Sequence, residues 1–179
     1  VPTIFTHVAV PVGLGIGLGK RAIPPRLLVT GILFSIMPDF DGIGFFTGIS
    51  YGSTIGHRGL THSLIFAVGL ALFGTFFFRW FRTTAKTTFL FLLLTTISHT
   101  LLDSITNGGL GVAFFWPWSD QRYFLPWRGI EVSPMRISAF LSQRGYAVMM
   151  SELKWIWVPC LSGGLLLILI RRLFCRRPD

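Results

Sequence analysis

Acidic residues are scarce in this chain: 179 residues carry only 7 Asp and Glu against 16 Lys and Arg, and charged residues of all kinds make up 13%. That is about half the share of a soluble domain and excludes a surface solvated on every side. Cysteine is nearly absent too. Cys160 and Cys175 flank the last apolar run, where a helix would hold them about 22 Å apart, so they form no intramolecular disulfide. No basic leader precedes the first apolar stretch, and no cleavable signal peptide is expected. Internal repeats, low-complexity tracts and an HExxH sequence are also missing.

What the chain does contain is apolar: 51% hydrophobic residues, 18 Phe and 6 Trp, with a mean hydropathy of +0.64. A membrane is the expected solvent. The formal charge of +9 would suit nucleic acid if it formed one patch, but it falls in clusters at the ends of apolar segments. Lys20, Arg21 and Arg26 form one cluster, Arg79, Arg82 and Lys86 a second, and Arg171, Arg172, Arg176 and Arg177 a third. The positive-inside rule reads these as topology signals, so no nucleic-acid partner is expected and no obligate protein partner is implied.

Apolar runs bounded by charge, Gly or Pro predict helices at 3–19, 26–38, 60–81, 86–106 and 154–171. The expected fold is an all-α, polytopic membrane bundle of about five helices, in one domain over residues 1–179. Gly13, Gly15, Gly17 and Gly19 alternate along the first helix, which weakens it but permits close packing. Pro24, Pro25 and Pro38 bracket the second, which reads as too short to span. Residues 107–153 form a long connection with Trp116, Trp118, Tyr123, Phe124 and Trp127, suited to the membrane interface as an anchor or a cover for a site. Asn107 reads as a helix C-cap rather than a catalytic group.

Placing the basic clusters on the cytoplasmic side puts the N-terminus outside and the C-terminus inside. His7, Asp39, Asp41, His57, His62, His99 and Asp103 then all fall toward the outer ends of different segments, at depths that agree within about one helical turn. Ionisable groups at membrane depth mark function, and a set of histidines and carboxylates at one depth points to a metal site. His99 and Asp103, four apart, share a helix face. His57 and His62, five apart, do not, which leaves His57 in the preceding loop. Imidazole with carboxylate suits zinc first, with manganese or iron as alternatives, as one ion or as two bridged by Asp103.

The stretches TH at 6–7, MPDFD at 37–41, GHRGLTHS at 56–63 and SHTLLDSITNGG at 98–109 resemble the YdjM-like, LexA-regulated inner-membrane family of metal-dependent hydrolases. The resemblance covers essentially the whole chain and implies an inner-membrane hydrolase without naming a substrate. More distantly, the order His, Asp, His, HxxxD is similar to that of zinc-dependent phospholipase C and the single-strand nucleases. That similarity implies His7, Asp39 or Asp41, His57 or His62, and the His99–Asp103 pair as ligands. No histidine follows His99, so their third ion is not expected, and the Val1 amine would be a ligand only if processing exposes it.

The expected activity is hydrolysis of a phosphoester in a membrane lipid or lipid-linked substrate, with Arg58 as phosphate clamp and Asp39 or Asp41 directing the water, Asp39 being favoured. Two alternatives stand beside it: a non-enzymatic membrane protein with a structural, sensing or transport metal, and an amidase or peptidase.

Overall fold

The computed structural model describes residues 2–134 and 137–174. Expectations that concern Val1, Cys175, Arg176 and Arg177 lie outside the described residues. A short 3-10 turn, Thr6–Val8, leads into α1 (Ala9–Ala22); α2 (Pro25–Ile36) is followed by a 3-10 helix, Met37–Phe46; a second short 3-10 turn, Leu60–His62, precedes α3 (Leu64–Thr75). Then come α4 (Ala85–Ser104), α5 (Ile137–Phe140), α6 (Gln143–Glu152), a π turn at Leu153–Trp157, and α7 (Val158–Phe174). Among the described residues the regular structure is all helical, the fold class expected.

Among the described residues, three stretches are long and apolar enough to cross a membrane: Pro25–Phe46, Ala85–Ser104 and Gln143–Phe174. The first corrects the expectation that the second helix is too short. Pro38 has no N–H, but it sits in the first turn of the following helix, where none is needed, so the chain continues as 3-10 instead of stopping. The third corrects the long connection: its last part is helical, because Ser142 caps α6 by accepting the N–H of Arg144. The run expected at 60–81 is also interrupted. Ser63 takes an extended conformation and caps α3 through the N–H of Phe66, which leaves His62 in the turn before the helix.

The alternating glycines let helices touch. A Cβ on Gly13 would stand 2.6 Å from the Cys160 carbonyl oxygen, one on Gly17 would stand 2.8 Å from Leu167 Cβ, and one on Gly164 would stand 2.7 Å from the Gly13 carbonyl oxygen. Backbones of α1 and α7 therefore meet without intervening side chains, the small-residue packing that lipid favours. Gly164→Val should push them apart at a cost of about 1–3 kcal/mol, read as a lower melting temperature of the purified protein in detergent. Gly163→Val, which meets nothing within 4 Å, should leave it unchanged.

A second core lies between α2, α3 and α4, where Leu27, Phe34, Ala71, Phe91 and Leu92 are buried together. Two buried threonines of α4 are satisfied within the helix: Thr95 and Thr96 both donate to the Leu92 carbonyl. These contacts give the bundle two different ends. Arg26 donates to the Trp80 carbonyl and Arg171 to the Leu18 carbonyl, so the basic clusters gather at one end. At the other lie the start of α1, the ends of α2 and α4, and the turn before α3.

Candidate metal centre

Four elements deliver the site. His7 comes from the turn before α1, Asp39 from the 3-10 helix after α2, His62 from the turn before α3, and His99 with Asp103 from the last turns of α4. His7, His62, His99 and Asp103 have no exposed side-chain surface, and Asp39 has 10%. Asp39 Oδ1 lies 3.7 Å from His62 Nε2 and 3.4 Å from His99 Nε2; Asp103 lies 3.6 Å from His7 Nε2, 3.2 Å from His62 Nε2 and 4.0 Å from His99 Nε2. Donor atoms of Asp39, His62, His99 and Asp103 all fall within 4.8 Å of one another. His7 stacks on His99 with ring centroids 3.7 Å apart and reaches Asp39 at 3.7 Å.

The outer ring nitrogens decide what the inner ones can do. His99 Nδ1 is 2.7 Å from the Ser35 carbonyl oxygen, which only accepts, so Nδ1 carries the proton and Nε2 presents a lone pair. His62 Nδ1 faces Asp41 Oδ2 at 3.2 Å, which orients that ring the same way. The two Nε2 atoms then meet at 3.0 Å, beside two carboxylates. Facing lone pairs repel unless a proton or a metal cation sits between them. His7 Nε2, Asp39 Oδ1 and Asp103 Oδ1 are also buried without a hydrogen-bond partner, an arrangement costly in any membrane or protein interior. The donor set fits a divalent cation.

Asp41 and His57 stand one layer out. Asp41 Oδ1 pairs with His57 Nδ1 at 2.6 Å, while Oδ2 accepts from Thr61 Oγ1 at 2.6 Å and from the Arg58 N–H at 3.2 Å. A group of Asp41, His57 and His62 could also surround an ion, but its contacts are short hydrogen bonds, and none of its atoms is among the buried polar atoms left without a partner, whereas His7, Asp39 and Asp103 each contribute one or more. Asp41→Ala should therefore keep the fold and weaken divalent-metal affinity about 10–100-fold, measured by competition with a chromophoric chelator. Tyr51 and Phe45 pack their rings around His57, and burial pushes the Tyr51 phenol up, leaving it protonated.

Arg58 is completely buried, with φ at 63°, a conformation uncommon outside glycine. Its Nε donates to Asp103 Oδ2 at 3.1 Å, Nη1 to the Gly108 carbonyl at 2.9 Å and Nη2 to Thr106 Oγ1 at 2.9 Å. Asn107 is no C-cap: its side chain accepts from the Val132 N–H, and its own N–H donates to the Ile130 carbonyl. Those bonds, with Leu125 N–H to the Ser104 carbonyl and Ala113 N–H to the Arg58 carbonyl, fold the 107–134 connection against the site end of the bundle. Sequence reasoning missed Ser35, Thr61, Thr106 and Gly108. The one available signal was the threonine that precedes both His7 and His62.

Comparison with known proteins agrees with this architecture. The YdjM inner membrane protein family matches residues 3–174. Inner membrane protein YbcI of Escherichia coli (strain K12) is 48% identical over 159 residues, covering 88% of this chain and 92% of that protein. No solved structure matches the chain.

Proposed function

The chain belongs to the YdjM inner membrane protein family, and we propose that it is a membrane-bound metal-dependent hydrolase, cleaving a phosphoester in a lipid or lipid-linked substrate. The observation that carries this reading is the set of buried atoms without partners, His7 Nε2, Asp39 Oδ1 and Asp103 Oδ1, beside the facing Nε2 atoms of His62 and His99. Three imidazoles and two carboxylates suit zinc first and manganese or iron next, as one ion or two. A divalent ion there supplies Lewis acidity, which lowers the pKa of water and offsets charge on a phosphoryl group.

The chain's own residues divide the remaining work. His7, His62, His99 and Asp103 hold the ion. Asp39, the member of the set with some exposed surface, faces the approach and orients the attacking water, accepting its proton. Arg58, expected from the sequence to clamp a phosphate, is fully buried and bonded at Nε, Nη1 and Nη2, so its part is to keep Asp103 in place and not to touch a substrate. Asp41 fixes the His62 ring.

The proposed orientation rests on the basic clusters. At the site end, Arg122 donates to the carbonyls of Tyr51, Ser53 and His57, Arg144 pairs with Glu131, and Arg128 and Lys154 lie over aromatic rings. We take the basic end as the cytoplasmic one, which would place the site toward the outer side of the inner membrane.

A second reading draws on closure. Four of the five residues are fully buried, as around a structural ion, which suits a non-enzymatic protein that uses or handles metal. The test is a panel of phosphomonoesters, phosphodiesters and phospholipids offered to metal-loaded protein in detergent. Cleavage that needs the ion and Asp39 supports the hydrolase; no turnover of any member by stoichiometrically loaded protein favours the second reading.

A further inference from the structure

At the end of the bundle away from the metal centre, Lys20, Arg21, Arg171 and Arg172 line a cavity of about 850 Å3 together with Leu18 and Gly19. We propose that this cavity is a second, separate site, which holds the phosphate headgroup of an anionic phospholipid from the surrounding leaflet.

The charge balance points to an anion. α1 ends here, and its C-terminus contributes about half a negative charge against the four cations. The balance among the described residues stays strongly positive, and none of them that lines the cavity is a carboxylate. The backbone makes the room: Gly19 leaves helical geometry at φ 75°, ψ 165°, one residue before Lys20. A Cβ at that position would stand 3.0 Å from the Arg171 guanidinium carbon, so the glycine lets that side chain fold back and donate to the Leu18 carbonyl.

A lipid fits better than a free phosphate because the cavity opens beside apolar surface. Leu18, Ile16, Leu169 and Leu173 are exposed on the same two helices, where acyl chains would run. Cations at the end of a membrane helix pair, next to an apolar face, are the expected recognition chemistry for an anionic headgroup.

Native mass spectrometry of the whole protein, released from micelles containing equal phosphatidylglycerol and phosphatidylcholine, tests this. Wild type should retain phosphatidylglycerol selectively. Lys20→Gln with Arg21→Gln, and separately Arg171→Gln with Arg172→Gln, should each reduce retention about tenfold or more, while Arg79→Gln with Lys86→Gln should not. Arg172→Lys, which keeps the charge, should retain the lipid. Three results would overturn the proposal: no preference over phosphatidylcholine, equal loss in the Arg79/Lys86 variant, or displacement of the lipid by an equal concentration of inorganic phosphate, which would assign the cavity to a soluble anion.

Discussion

Asp103→Asn should abolish metal binding and, in metal-free protein, lower the unfolding free energy by about 3–5 kcal/mol, the cost of breaking a buried ion pair. Two roles meet in this carboxylate. One oxygen faces His7 without a hydrogen-bond partner, and the other accepts from Arg58 Nε at 3.1 Å and lies 3.2 Å from His62 Nε2. Asparagine removes the charge that attracts an ion and also leaves the Arg58 guanidinium buried with no counter-charge. The two effects can be separated by adding Arg58→Met. The double variant should recover most of the lost stability in thermal or denaturant unfolding and none of the metal. Recovery of metal binding in that variant would mean that Asp103 serves only to neutralise Arg58.

Asp39→Ala should behave differently, removing at least about a thousandfold of any phosphoester cleavage while leaving the folded state in place. Among the described residues Asp39 has no arginine partner, and its side chain is the accessible edge of the inner set. Its loss therefore strands no buried cation. The readout is initial rate with metal-loaded protein, alongside circular dichroism and melting temperature. A fold that collapses on this change, or a rate within tenfold of wild type, would remove Asp39 from the role of directing water.

Much of this site was legible before the structure. His99 and Asp103 stand four apart on one helix, and counting residues between the basic clusters and each histidine placed the whole set at one depth. What the sequence could not separate is the inner ring from the outer. Asp39 and Asp41 are two residues apart, and both follow Pro38. In the 3-10 helix that forms there, with about three residues per turn, they face different directions: Asp39 toward His99, Asp41 toward His57 and Thr61. No periodicity announces a 3-10 run of this length. Arg58 was singled out, but its burial against Asp103 was not legible, since an arginine at positive φ is set by its buried partners and not by local preference. The helical end of the long connection was concealed by its modest apolar content, and Ser142 was the capping signal to be read there.

The central claim is that His7, His62, His99 and Asp103 hold a divalent cation, with Asp39 at its accessible edge. Elemental analysis of wild-type protein, purified in detergent and equilibrated with zinc or manganese before gel filtration, tests it most directly beside His99→Ala. The account expects at least one tightly held ion per chain in the wild type, lost from a His99→Ala variant that remains folded. Well-folded wild-type protein that retains no metal, and whose melting temperature does not change with a strong chelator, would contradict it.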